Sequence, residues 1–437
     1  MEIVGINEEN VIAISKKKKE SDDIRKFRLE SYNNFKNIDM PNFGPEINLD
    51  FDKIIYYKSN DKDEKIENDW NSVLKPVVDE LDSLGVLESE KHLGGMGVQY
   101  ESEVIYHNML DEIEKKHVIF TSIENAMKNY PDIVNKYFGK IVSNDENKFS
   151  ALNGAVFSGG SFIYIPPNTK LDRPLQSYFR INSKNMGQFE RSLIIVDDNS
   201  ELHYIEGCTA PTYSDSSLHA AVVEIYVGKN SKCRYSTIQN WANNVYNLVT
   251  KRALVDEGGL MEWIDGNIGS KVTMKYPCCV LKGDNSEGKC VTIAVGGEGQ
   301  VQDSGAKMIH LGNKTVSNII SKSIARNGGA ANYRGKVYID SNSTKSSASI
   351  KCDTLILDDK SKSDTLPYNL CYNVDSSLEH EATVSKISED NLFYLMSRGI
   401  DRETATDLIV LGFLEEFREE LPMEYAVELN QLIKRNL

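Results

Sequence analysis

From residue 149 to about 374 the chain is punctuated by short polar turns at near-regular intervals, and this spacing constrains the fold more than any other feature. Turns rich in Gly, Asn, Asp and Ser begin at 197, 228, 256, 283, 296, 312, 327 and 340. The later steps are about 13–16 residues and the earlier ones about twice that, a quasi-period in which each unit stacks on the next, as in a solenoid. Between the turns lie short apolar or alternating runs at 192–196, 219–227 (HAAVVEIYV), 234–239, 248–255, 272–281, 291–295, 307–311, 317–324, 333–339 and 348–357. Such runs have the length and composition of strands. Few gaps could hold a helix, so regular βαβ crossovers are excluded. A parallel β-helix is the predicted fold, with a β-sandwich as the alternative.

The flanks have a different texture. Residues 1–147 read as a mainly helical region with polar linkers, with amphipathic patterns at 21–35, 70–84, 106–114 and 123–138. Pro41, Gly44 and Pro45 interrupt the first of these stretches, and 59–69 is a charged linker. Residues 148–387 form the β-helix core. Residues 388–437 are again helical: Ser388 can cap a helix over 389–398 that Gly399 ends, and Asp401 can cap a second. The second carries Ala405, Leu408, Ile409, Phe413 and Phe417 near one face, and a third starts near Pro422. Such a tail either covers the last rung of the solenoid or docks a partner.

Composition excludes several function classes. A net charge of −15 over 437 residues argues against nucleic-acid and anionic-membrane binding, which need a basic surface. The basic run 16–19 reads as a solvated tail. No apolar run approaches the roughly 20 residues of a membrane helix, and the first residues lack the order of a secretory signal, so a cytoplasmic protein is expected. The seven cysteines are scattered, odd in number and free of any CxxC pair. That pattern fits reduced thiols and leaves zinc ribbons and ferredoxin-type clusters without support.

Few residues stand out chemically. Cys352, in Lys351-Cys352-Asp353, reads by itself as a buried strand thiol. Downstream, Glu379-His380-Glu381 puts three potential ligands in a row. In a strand the two acids share one face and His380 takes the other. If neighbouring rungs bring this cluster to Cys352, thiolate, imidazole and carboxylate form a set that binds iron; otherwise it is a surface charge cluster. Cys208 follows Glu206-Gly207 and precedes Pro211, which places it in a loop or at a strand end, where a thiol is more accessible. Cys278-Cys279 points to opposite faces of one strand and reads as structural. The Gly94–Gly97 stretch lacks the Lys-Ser/Thr of a phosphate loop.

Longer strings carry a resemblance. Residues 177–198 read SYFRINSKNMGQFERSLIIVDD. In order there follow YIEGCTAP, SLHAAVVEI, YSTIQNW, NLVTKRAL, MEWIDGNIGSKVTMKYP, AKMIHL, KCDTL, LEHEATVSKI, NLFYLMSRGI and LPMEYAVELN. Nearer the N-terminus stand GVQYESEVIYHN and NKFSALNGAVFSGGSFIYIPPN. From about residue 21 to its end the chain resembles the SufB/SufD family of iron–sulfur cluster assembly proteins. The EGC and LEHEAT strings favour its SufB branch.

The resemblance implies a mainly β protein, a right-handed parallel β-helix between two helical regions. It implies a non-enzymatic scaffold that receives persulfide sulfur and builds a labile cluster at the interface with SufD or a second SufB. The ATPase activity resides in SufC, docked on the C-terminal helices. Cys208 is the implied persulfide acceptor, supplied by a SufE- or SufU-type donor. Cys352, Glu379, His380 and Glu381 are the implied cluster site, with Cys352, His380 and Glu381 as metal ligands. Arg180, Asn182, Gln239, Trp241 and Lys251 are the implied lining of a sulfur tunnel, and buried Arg, Lys and Gln are costly unless they serve something. The cargo is a transient cluster of the 4Fe–4S or 2Fe–2S type, passed to apo acceptor proteins, and the likeness also allows reduced flavin. Directly after Trp241 the chain lacks the longer segment of some family members, which touches the shape of the tunnel there. Two other classes are a structural subunit that regulates the ATPase without binding iron, as SufD does, and a β-helix enzyme acting on polysaccharide. The latter needs grouped carboxylates in a cleft, which the sequence does not show.

Overall fold

The computed structural model describes the chain except residues 60–65, 74, 84–85, 182, 184, 211–215 and 421–437. Two parallel sheets wind into a β-solenoid of about 8 turns with helices towards both termini. Along the first sheet the strands run Leu175–Arg180, Glu201–Thr209, Lys232–Trp241, Leu260–Gly269, Glu287–Gly296, Val316–Ala325, Ser347–Ile356 and Ser377–Lys386. Each is hydrogen-bonded to the next coil without a register slip. The second sheet closes the other side, with Val245–Val255, Val272–Lys275 and Ala330–Ile339 among its strands.

The turn spacing has a structural origin. One corner of the solenoid recurs at Asn168, Asn199, Asn230, Gly258, Asn285, Lys314 and Lys345, all with positive φ. Asparagine and glycine tolerate that left-handed conformation. A second corner appears at Ser270, Gly299 and Gly328. The 13–16 residue steps are therefore half-coils, and the longer early steps are whole ones. Ser200, Ser231 and Ser346 stack at the first corner and satisfy backbone groups of adjacent coils.

Two readings of the N-terminal region change. Residues 106–114 are not a helix: Glu103–Met109 is a strand, followed by the short helix Asp111–Glu114. It pairs antiparallel with Gly95–Tyr100, which itself extends the first sheet. The first coil leaves a row of unpaired backbone groups, and an antiparallel strand satisfies them whereas a helix cannot. Ile119–Ser122 does the same for the second sheet. The basic run is not a solvated tail: Lys18 is buried between Glu103 and Glu124, at 3.1 and 3.0 Å.

The helices are locked onto the outside of the solenoid by buried ion pairs. Arg28, on the helix Asp22–Asn37, bonds to Glu20 and to the carbonyls of Ala155 and Phe157. Arg191 and Glu224, both fully buried, pair at 2.8 Å. Glu224 also accepts the backbone N–H groups of Gly139, Ile141 and Val142.

At the C-terminus Ser388 and Asp401 cap the helices Glu389–Ser397 and Arg402–Phe413, and Gly399 takes positive φ between them. The second helix ends at Phe413, and Phe417 lies in the separate turn Glu415–Arg418. Phe417 is not exposed. With Val410 and Leu414 it is fully buried on Ile205, Ile238, Ile264 and Ile293, the outer face of the first sheet. An apolar outer face must be covered, and this tail covers it. The helix read from Pro422 lies outside the described residues. Among the described residues no helix is long and apolar enough to cross a membrane.

Candidate functional site

Residues in register on parallel strands share a face of the sheet, so an inward-facing side chain sits directly above its partner in the next coil. One inward column of the first sheet reads Glu206, Thr237, Asp265, Thr292, Ser321 and Cys352. Every member is buried. At about 4.8 Å per rung its five steps span about 24 Å. The adjacent inward column includes Phe179, Cys208, Gln239 and Asn267. Polar groups stacked inside a core are costly unless they pair with one another or with water or a ligand.

The first half of this interior is charged. Lys251 Nζ lies 3.4 Å from Glu206 and 3.8 Å from Asp265, over the Tyr235 ring. Lys275 Nζ is 2.9 Å from Asp265 and donates to Gln239 Oε1 at 2.9 Å. Thr237 and Tyr235 donate to Asp265 and Glu206. Burial pushes the Asp265 carboxyl up, but Lys275 and Lys251 overcome it and hold the group below its usual range. Burial takes Lys275 down to about 8 against the pull of Asp265. A chain of bonds leads outward from Gln239: it accepts from Asn247 at 2.8 Å, Asn247 meets His219 at 2.7 Å, and His219 meets Glu190 at 2.5 Å.

Cys208 is the penultimate residue of its strand and is completely buried, packed with Phe179 and Trp241. Burial, then Glu206 and Glu190, push its thiol well above the usual value, while Lys251 and Lys275 pull the other way. Among the described residues, Gln239 Nε2 and Trp241 Nε1 are buried without a hydrogen-bond partner. Further along, Asn267 Oδ1, Thr273 Oγ1 and Ser304 Oγ are unpartnered too. Unmet polar groups thus line part of the interior, beside the apolar core that fills the rest.

Cys352 stands one rung before the end of the solenoid, where Ala382 continues the column. Cys352 is 3% exposed, and burial pushes its thiol up to about 12, moderated by the Tyr333 hydroxyl beside it. His380 Nε2 lies 3.6 Å from its Sγ, and Asn369 Nδ2 is 3.2 Å from the other ring nitrogen. Burial lowers the His380 imidazole. Glu379 and Glu381 pair in register with Ser349 and Lys351 and are exposed, facing away from Cys352. Among the described residues no group of three or more His, Cys, Asp or Glu side chains converges on one point. Tyr368, Tyr372, Val374 and Val384 are exposed around this end.

The residues that the resemblance assigns to a tunnel separate in the same way. Gln239, Trp241 and Lys251 line the interior. Arg180 follows Phe179, the inward partner of Cys208, so it faces the other side of the sheet, where it donates to Thr209 at 2.9 Å. Asn182 lies outside the described residues. Glu206, Asp265, Lys275, His219 and Glu190 were missed by sequence reasoning. The available signal was a charged residue at an inward position of an otherwise apolar alternation, as in YIEGC and MEWIDGN.

Comparison with known proteins gives consistent matches. A family model described as "SUF system FeS cluster assembly, SufBD core domain" matches residues 179–413, and one described as "SufBD protein N-terminal region" matches 13–177. The chain is 54% identical over 432 residues to the iron-sulfur cluster assembly protein SufB of Bacillus subtilis, covering 98% of this chain and 92% of that one. At the same coverage it is 55% and 56% identical to SufBD family proteins of Staphylococcus epidermidis and Staphylococcus aureus.

Proposed function

Because this chain belongs to the SufBD family of the SUF iron–sulfur cluster assembly system, we propose that it is a scaffold that takes in sulfur at Cys208 and builds a cluster at Cys352. The observation that carries this reading is the buried column from Glu206 to Cys352. It is continuous in register, polar at every step and flanked by two lysines at its Cys208 end. A sulfur anion is stabilised by ammonium and N–H groups in a water-poor interior, and the hydroxyls of Thr292 and Ser321 extend that path towards Cys352.

At the far end Cys352 supplies the soft ligand and His380 the imidazole. Two groups do not complete a tetrahedral iron site. The remaining ligands come from sulfide and from a second solenoid, a SufD-type subunit or another copy of this chain, seated against the exposed residues of the last coil. Glu379 and Glu381 would contribute only by way of that partner. The cluster is cargo: iron expels the thiol proton of Cys352 on binding, and the product passes to an acceptor protein. A SufC-type ATPase docks on the helix Glu389–Ser397, where Phe393 and Tyr394 are 74% and 58% exposed. The setting is the cytoplasm, where thiols stay reduced. The flavin that the likeness allows receives no residues.

A structural subunit that binds no iron is the second reading, favoured by the absence of a three-ligand group among the described residues. Anaerobic incubation with ferrous iron and sulfide, followed by metal and acid-labile sulfide analysis, decides between them. The scaffold retains iron and sulfide in comparable amounts and loses both in Cys352→Ala. A chain that retains neither, alone or with its partner subunits, is the structural subunit.

A further inference from the structure

Cys208 needs two things to accept a sulfane sulfur: a base to take its proton and a counter-charge for the persulfide anion it becomes. Its surroundings contain both. Gln239 pairs with Cys208 in register, so the two side chains share the inward face one rung apart. The Gln239 carbonyl oxygen accepts from Lys275 at 2.9 Å and from Asn247 at 2.8 Å, which turns its amide NH2 away from them. That Nε2, on a fully buried residue, has no partner among the described residues. Trp241, two residues on and facing the same side, packs with Cys208 and also leaves its buried N–H unpartnered. A buried donor without an acceptor is costly. Two of them beside one thiol mark a place where an anion arrives.

The two buried lysines are not equivalent. Lys251 is engaged by two carboxylates, Glu206 and Asp265, and by the Tyr235 ring. Lys275 has one carboxylate, Asp265, and a neutral amide, Gln239. With less opposing charge at equal burial, Lys275 is the one that can stand as a neutral amine.

We infer that Lys275 takes the proton of the Cys208 thiol, and that the ammonium so formed, with the free N–H groups of Gln239 and Trp241, holds the persulfide anion. This rests on the reading of Cys208 as the point of sulfur entry. In the step, the Cys208 thiolate attacks the outer sulfur of a donor persulfide. The new S–S bond forms on Cys208, the donor's S–S bond breaks, and the donor leaves as a thiolate that takes the proton of the transferred sulfur. No net oxidation occurs. Cys208 is left as a persulfide anion against protonated Lys275. The depression of Lys275 to about 8 agrees with this role.

The full chain is treated with glutathione persulfide, and the addition of one sulfur atom to Cys208 is followed by peptide mass spectrometry. Exposed Cys371 in the same sample reports that the reagent is active. Wild-type loading should rise with pH through about 8, as the amine form of Lys275 grows. Lys275→Arg keeps a charge for Asp265 but cannot give up its proton. It should fold, load Cys208 about 100-fold more slowly and lose the rise. Trp241→Phe should load but shed the persulfide several-fold faster. The role of Lys275 is overturned if Lys275→Arg loads at the wild-type rate, or if the wild-type profile is flat around pH 8; the second check holds even should the variant misfold. A wild type that carries no persulfide on Cys208 while Cys371 is loaded defeats sulfur entry at Cys208 itself, and this inference with it.

Discussion

Cys352 Sγ lies 3.6 Å from His380 Nε2 although neither is the other's partner in register: Cys352 pairs with Ala382, and His380 with Ile350. The contact is diagonal, between inward-facing residues on the last two rungs. Ala382, in register with Cys352, contributes only a methyl group beside this contact.

This geometry ranks the ligands. Cys352→Ala should lower iron and acid-labile sulfide after anaerobic reconstitution at least ten-fold, since it removes the soft donor. His380→Ala should follow with a smaller but clear loss. Glu379→Gln and Glu381→Gln should retain wild-type metal content in the isolated chain, because both carboxylates face away. Loss of iron in Glu381→Gln without its partner subunit would mean that the last strand turns over during assembly.

Cys208→Ser should separate the two ends of the interior. The hydroxyl keeps the shape of the site but cannot carry a sulfane sulfur. Persulfide loading at position 208 should vanish, while reconstitution with free sulfide proceeds at the wild-type level. Equal cluster yield from a persulfide donor in both proteins would show that sulfur takes another route.

His310 is fully buried between the hydroxyls of Thr315 and Ser317, at 2.7 and 2.8 Å. Burial takes its imidazole down from 6.5 to about 4. With the folded value depressed, the unfolded chain binds the proton first as pH falls. The neutral form's stability is fully present above pH 6.5 and is lost on the way down to about 4. Between pH 7 and 5 this amounts to about 2 kcal/mol. Urea unfolding of His310→Gln, which keeps a hydrogen-bonding side chain without the titration, should show a pH dependence shallower by that amount.

The C-terminal aromatic residues divide by face. Phe417→Ala should cost about 3–5 kcal/mol of stability, since it opens a cavity under the tail. Phe393→Ala and Tyr394→Ala should change stability by less than about 0.5 kcal/mol, yet weaken co-purification with the ATPase subunit. A Phe393→Ala, Tyr394→Ala double variant that still captures the ATPase at wild-type yield would place the docking surface elsewhere.

Much of this was legible in the amino-acid sequence because it is local. Asparagine and glycine at a recurring corner need only their own backbone preference, and Ser388 and Asp401 cap helices three residues ahead of them. The alternation around Glu379-His380-Glu381 already assigns the acids to one face and the imidazole to the other. Other features depend on what lies a coil away. The strand Glu103–Met109 exists because the first coil offers an open edge, and Lys18 is paired because Glu103 of that strand and the distant Glu124 meet it. Phe417 is buried because isoleucines from four different coils leave an apolar wall that needs cover.

The site itself was decided by tertiary structure. The sequence by itself determined that the chain coils, where it turns, and which residue types alternate inward. It did not determine that Glu206, Thr237, Asp265, Thr292, Ser321 and Cys352 stand in one line, for their alignment depends on the length of every intervening coil. Nor did it place Lys275 of the second sheet against Asp265 and Gln239 of the first. Those contacts cross the interior, where buried charges have no water to turn to and only the closing of the solenoid brings their partners within reach.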